Sequence, residues 1–379
     1  MDSQMSLFEF IEDGEKYLPI KSNDWKWSFK DYPKEKNGLK VFSCFACGGG
    51  STMGYKLAGC EVLGCVEIDP KMNEIYVKNH HPKYNFLMDL RDFNELPDEN
   101  IPEELFDLDI LDGSPPCTTF SMAGDREESW GKKKKFREGQ KEQTLDDLSF
   151  VFIDTVRKLK PRVVIMENVE GLLLGGTWAY VQRIYKEFGS AGYKVCHWLL
   201  KGENMGVPQK RHRVFFVCVR SDLMIDPQYL DMNFNYERIT YGQIKEGPMH
   251  PLKPGSVFYD VAIQAIPEDK TIADTRIRLG QTASAFQTIY CRNDDIVPTQ
   301  RAKPDLIDIS DMSYVGWQVL RNAQTFPRDY NFGSNPNRAS VGYICGMSVP
   351  PVMMKRIVTR LIDQGVFDYK LKREEVKNE

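Results

Sequence analysis

Between residues 39 and 219, short runs rich in Val, Ile, Leu and Phe alternate with segments of helical period. A half-solvated strand alternates apolar and polar side chains, whereas a strand covered on both faces is apolar throughout. The runs 39–45, 61–67, 108–111, 162–166, 193–199 and 213–219 read as strands, several of them of the second kind. Residues 53–58, 71–79, 148–159 and 179–188 between them have helical spacing. The alternation predicts an α/β fold, a Rossmann-like, mostly parallel sheet with helices on both faces.

Outside that stretch the chain changes character. Residues 1–37 have few periodic apolar positions, yet Trp25, Trp27, Phe29 and Tyr32 suggest that this segment packs on something. Residues 221–315 are rich in Pro, Asn, Asp and aromatics without a clear period, and read as a smaller, separate, irregular module. Helical patterning returns at 315–324 and 350–364, the latter with Pro near its first turn and Gly365 beyond its last. With 379 residues, about two domains are expected.

Net charge is −4, but it is unevenly spread. Residues 89–112 hold ten acidic side chains and one basic, whereas residues 132–141 hold six basic and one acidic. A third stretch, 276–303, has five basic residues against two acidic. Local basic runs keep a polyanionic partner open despite the acidic total. No run approaches 18 consecutive apolar residues and the acidic start does not resemble a secretion signal, so a cytoplasmic protein with no membrane partner is expected. Nine cysteines in such a chain argue against a disulfide framework. Cys44 and Cys47 form a C-x-x-C, but without a second pair at zinc-like spacing no metal is expected.

The segment VFSCFACGGGSTMGYKLAGCEVLGCVEID reads as strand, glycine turn, helix and a second strand ending in Glu67. Glycines 48–50 allow close backbone approach, and an acid at that distance commonly holds ribose hydroxyls. Met53 replaces the third glycine of a pyrophosphate loop. The unit therefore suits a nucleoside cofactor without phosphates, such as S-adenosylmethionine.

Three further segments fall at strand ends, where open α/β sheets bind ligands: GSPPCTTFS with Cys117, ENVEG with Glu167, and QKRHR with Gln209, Arg211 and Arg213. Together they offer a nucleophile, an acid and two cations. Carbon 5 of cytosine is too electron-poor to attack a methyl group. A thiolate adding to carbon 6, with an acid protonating nitrogen 3, converts the ring to an enamine that can. Arginines would favour the thiolate and bind the exocyclic oxygen.

In this order the blocks FACGGG, GSPPCTTFS, ENVEG and PQKRHR resemble those of DNA (cytosine-5) methyltransferases, over about 40–220 and again over 321–358. The resemblance implies Cys117 as nucleophile, Glu167 as acid at nitrogen 3, Arg213 at the base oxygen and Arg211 as support for the nucleophile's loop. It implies S-adenosylmethionine contacts from Phe45, Ala46, Gly48, Gly49, Gly50, Glu67, Ile68, Asp89, Leu90, Pro116, Ser348 and Val349. Arg321 matches a block thought to organise the recognition module. The implied domains are an N-terminal extension (1–37), a catalytic and cofactor domain (38–220), a β-rich target-recognition domain (221–315), a hinge (316–340) and a C-terminal helix returning to the catalytic domain (341–379).

Double-stranded DNA is the expected partner of a monomer that does not physically require a cognate restriction endonuclease. The basic run would close over DNA, with Lys132, Lys133, Lys134, Lys135 and Arg137 on phosphates and Ser121 in the moving part. The target base must leave the duplex to reach Cys117. Arg276, Arg278 and Arg292, with Gln281, Gln287 and Gln300, are the candidates for reading or holding DNA. Two positions depart from the family pattern: Cys47 stands where glycine is usual, and Met347 where asparagine is usual. A tRNA cytosine methyltransferase and a catalytically silent DNA-binding subunit are the alternatives.

Overall fold

The structure, a computed structural model, describes residues 18–116, 147–247, 249–303 and 305–369. Seven strands form the main sheet: β1 (Lys40–Cys44), β2 (Glu61–Glu67), β3 (Tyr84–Leu87), β4 (Ile110–Gly113), β5 (Val163–Val169), β6 (Tyr193–Lys201) and β7 (His212–Arg220). Their order is β3-β2-β1-β4-β5-β7-β6. Strands β1 to β5 are parallel, and β7 runs antiparallel between β5 and β6. The helices are α1 (Gly50–Leu57), α2 (Pro70–His80), α3 (Leu90–Glu95), α4 (Leu148–Leu159), α5 (Trp178–Ser190), α6 (Tyr241–Ile244), α7 (Val257–Ala262), α8 (Ile272–Arg278), α9 (Trp317–Ala323), α10 (Arg338–Met347) and α11 (Pro351–Asp363).

Strand β5 explains why the apolar runs are continuous. Val163 and Ile165 enter the core layer that holds α1 and α11, while Val164 and Met166 enter the one that holds α3, α4 and α5. Side chains two apart share a face, so a strand between two helical layers needs apolar residues at every position. All four are fully buried, each contributing about 1.5–3 kcal/mol of transfer free energy.

The second sheet joins β8 (His250–Pro251), β11 (Ser313–Tyr314), β10 (Leu306–Asp308) and β9 (Ile289–Cys291), in that order. It has its own small core of Leu252, Val261, Ile272, Tyr290 and Ile307. Strands of two or three residues are too short to display a period, so the sequence of this module looked irregular. Residues 221–236 belong elsewhere: Leu223, Ile225, Leu230, Met232 and Phe234 pack with α11.

A third core joins the two parts. Trp25 and Trp27 share one cluster with Met53 of α1, Met72 and Ile75 of α2, Val319 and Leu320 of α9 and Val341 and Ile344 of α10. The expected hinge is therefore partly core, since Val319, Leu320 and Ala323 are fully buried. Helix α10 escaped the sequence reading because RASVGYICGM contains two glycines and β-branched residues, weak helix formers. Asn337 caps it by accepting from Ala339 N and Ser340 N. Among the described residues no helix is long and apolar enough to cross a membrane.

Candidate active site

The carboxyl ends of β1, β2, β4 and β5 gather at one rim of the sheet. Because β7 is antiparallel to β5, its first residues reach the same rim, with Arg213 opposite Val169. This is why the arginine block precedes its strand while the other blocks follow theirs. Glu167 Oε1 accepts from Arg213 Nε at 2.9 Å, both side chains being largely buried. Arg213 also donates to the His212 carbonyl at 2.7 Å.

Arg211 turns another way. It donates to the carbonyls of Gln300 (3.2 Å), Gly346 (3.1 Å) and Ser348 (2.9 Å), joining the small module to the C-terminal end of α10. Three carbonyl acceptors offset the cost of burying its charge. Gln209 completes this latch. Its amide nitrogen donates to Ala323 O and Gln324 Oε1, and its oxygen accepts from Gln300 N. Gln324 in turn donates to Ser348 O at 2.5 Å. Arg321 is largely buried and pairs with Glu246 at 3.1 Å beyond α6, fastening α9 to the small module.

The glycine loop is set by backbone geometry. Phe45, Cys47 and Gly49 have φ of 58°, 48° and 80°, in the left-handed region. A side chain at Cys47 costs about 1–2 kcal/mol there, the physical reason for a glycine at that position. The crowding that excludes side chains at Gly49 and Gly50 comes from the protein itself. A Cβ at Gly49 would lie 2.1 Å from His80 Nε2, and one at Gly50 2.1 Å from Val349 O. Glu67 closes the loop, Oε2 accepting from Cys47 N (2.7 Å) and Oε1 from Asp69 N (2.8 Å). Burial pushes its pKa up, and these amides pull the other way. Each carboxylate oxygen retains acceptor capacity, so ribose hydroxyls fit as further donors.

The remaining residues expected at the cofactor line the same end. Ile68, Phe45, Ala46 and Pro116 are half-buried, and Phe45 lies 6.5 Å from the Phe152 ring. Asp89 caps α3 and pairs with Arg91 at 3.3 Å. The Leu90 side chain is buried in the core. Ser348 Oγ donates to Ile344 O at 2.8 Å. Met347 is 38% exposed at the end of α10. Cys44 enters the main core and Cys47 packs against the third one.

Comparison with known proteins decides the family. The model of the C-5 cytosine-specific DNA methylase family matches residues 39–305. The chain belongs to the C-5 cytosine-specific DNA methylases. Among individual methylases it is 31% identical to the type II methyltransferase M.Sau96I of Staphylococcus aureus, over 60% of this chain and 51% of that one. It is 28% identical to M.BspRI of Lysinibacillus sphaericus over 87% and 83%. The chain spans about half the length of the first relatives it matches. A DNMT2 variant from Spodoptera frugiperda superimposes with a TM-score of 0.58 at 15% identity, covering 86% of this chain and all of that one. At that identity the likeness concerns the fold.

Three of the arginines expected to contact DNA also bond within the small module. Arg278 pairs with Asp269 at 2.8 Å, Arg292 donates to the Asp269 carbonyl at 2.9 Å, and Arg276 donates to the Thr282 carbonyl at 2.9 Å. All three hold the small module together. Gln300 is buried behind Arg211, whereas Gln281 and Gln287 are exposed. Cys117, Ser121, Lys132, Lys133, Lys134, Lys135 and Arg137 lie outside the described residues.

Sequence reasoning missed Asp112, hidden in the apolar run LDILDG. It is the penultimate residue of β4, is buried, and accepts from Tyr55 OH of α1 at 3.1 Å. Burial pushes its pKa up to about 7. Between about pH 4 and 7 the unfolded chain loses this proton while the folded chain keeps it, so stability falls as pH rises through that window. Asp112→Asn keeps the acceptor for Tyr55 and removes the penalty. At pH 8 the variant is expected to be more stable than the parent, by on the order of 2–4 kcal/mol in urea unfolding. The gap should close towards pH 4, and an unchanged pH profile would exclude this role.

Proposed function

We propose that the protein transfers a methyl group from S-adenosylmethionine to carbon 5 of a flipped-out cytosine in double-stranded DNA, through a covalent intermediate on Cys117. The observation that supports it most is the Glu167–Arg213 pair at the end of β5, beside β4, the strand that leads to Cys117. The bound cofactor supplies an electrophilic methyl on its sulfonium.

The protein's residues manage the electrons and protons of cytosine. The Cys117 thiolate adds to carbon 6 while Glu167, having first taken up a proton from solvent, delivers it to nitrogen 3, and the ring becomes an enamine nucleophilic at carbon 5. Arg213 holds Glu167 in place and presents a cation to the base oxygen. After carbon 5 has taken the methyl, a base removes its proton. Elimination then expels Cys117 as thiolate, and the nitrogen 3 proton returns to Glu167. Glu67, the loop around Gly48 and the segment at Ser348 hold the cofactor.

We further read the protein as a cytoplasmic monomer, and its type II relatives support a restriction-modification setting. Incubation with methyl-labelled S-adenosylmethionine and a mixture of duplex DNA and tRNA tests the proposal. Label is expected in 5-methylcytosine of the duplex. Transfer to tRNA alone, or to neither, would overturn it.

A further inference from the structure

The carbonyl of Gly48, in the middle of the glycine loop, is held by two buried side chains that the chemistry above does not use. Tyr330 OH donates to it at 2.6 Å, and His80 Nε2 lies 3.1 Å from it. The other side of the same peptide is fixed too, since Gly49 N donates to Ala46 O at 2.8 Å. A peptide plane held at both edges cannot rotate, and it sets the left-handed turn from which α1 starts. The orientation of the loop's remaining backbone groups follows from it.

His80 stands at the last turn of α2, with its ring 4.6 Å from that of Tyr76. Its Nδ1 is buried with no partner among the described residues, so the neutral ring with the proton on Nε2 is the form that donates to Gly48. Burial lowers its pKa to about 3, and that form persists at neutral pH.

Tyr330 is placed by the aromatic N-terminal segment. Trp27 Nε1 donates to Thr325 O at 2.8 Å, Arg328 N donates to Trp27 O at 3.0 Å, and Phe29 N donates to the Asp329 carboxylate at 3.0 Å. Residues 27–29 thus run along 325–329 and fix the approach to Tyr330. The Tyr330 ring packs between Phe326 and Phe332, at 4.8 and 4.6 Å. Phe29 closes the cluster, 6.3 Å from the rings of both Tyr330 and His80.

We propose that Tyr330 and His80, buttressed by the segment around Trp27, are positioning residues that set cofactor affinity by pinning the Gly48 carbonyl. The inference rests on the reading of this loop as the S-adenosylmethionine site. It assigns the segment around Trp27 a role in setting the glycine loop, transmitted through the loop that bears Tyr330.

The test is titration calorimetry of the full chain with S-adenosylmethionine, alongside DNA binding and thermal unfolding without cofactor. Tyr330→Phe removes one hydroxyl and keeps the ring packing. It is expected to weaken cofactor binding about tenfold, with DNA affinity held within about twofold and the unfolding midpoint little changed. His80→Gln, whose amide N–H replaces the Nε2 donor, should stay within about threefold of the parent, and His80→Leu should follow Tyr330→Phe. Trp27→Phe should move cofactor affinity in the same direction. Cofactor affinity in Tyr330→Phe within about twofold of the parent overturns the inference, as does a parallel loss of DNA affinity and thermal stability. A parent that binds no S-adenosylmethionine instead overturns the assignment of the cofactor site.

Discussion

Cys117→Ser is expected to lower methyl transfer by at least about 10⁴-fold while leaving cofactor and DNA binding in place. The difference lies in the nucleophile. A thiol is ionised to a useful extent near neutral pH when cations stand close, whereas a serine hydroxyl needs a dedicated base to surrender its proton. The described part of the rim offers Glu167 for protonating nitrogen 3 and Arg213 as a cation, whereas Arg211 is spent on the carbonyls of Gln300, Gly346 and Ser348. Single-turnover transfer of a labelled methyl group to duplex DNA measures the loss. Activity within about tenfold of the parent would show that no covalent bond through Cys117 is needed.

Glu167→Gln is the second large effect. The amide oxygen can still accept from Arg213 Nε, where the carboxylate now accepts at 2.9 Å. It has no proton to give to nitrogen 3. Turnover should therefore fall by about 10²–10³-fold with cofactor affinity unchanged, a loss confined to the chemical step. Arg213→Ala should be worse for the fold, because it leaves a largely buried carboxylate without its cation, at a cost of about 3–5 kcal/mol. Steady-state kinetics on the Gln variant and urea unfolding of both variants separate the two effects. Turnover of Glu167→Gln within about threefold of the parent would remove Glu167 from the proton path.

The parts of the fold that were readable in the sequence are those where burial dictates residue type on both faces of an element. Strands β1, β2 and β5 are of this kind, and helix α4 ends where its apolar spacing ends. Strand β3 was missed because it is an edge strand only four residues long, with two of its residues exposed. Helix α1 begins three residues earlier than its spacing suggested, since Gly50, Ser51 and Thr52 are weak helix formers placed there by the left-handed turn at Gly49. Glu167 and Arg213 were legible as motifs at strand ends. The partners of Arg211 were not, because they lie 89 to 137 residues further along the chain. The same distance hid Tyr330, which reaches Gly48 across 282 residues. Asp112 gave no signal, because a single acid in an apolar run reads as a strand end until its burial is known.

A duplex that contains 5-fluorocytosine at the target position tests the central claim most directly. Fluorine at carbon 5 cannot leave as a proton does, so once the methyl has been transferred the elimination that frees Cys117 is blocked. With S-adenosylmethionine present, a denaturation-resistant adduct of one chain with one duplex is expected, joined at Cys117 and bearing the transferred methyl. The adduct should be absent in Cys117→Ser. Methylation of an ordinary cytosine duplex without any adduct on the fluorinated one would contradict the covalent mechanism.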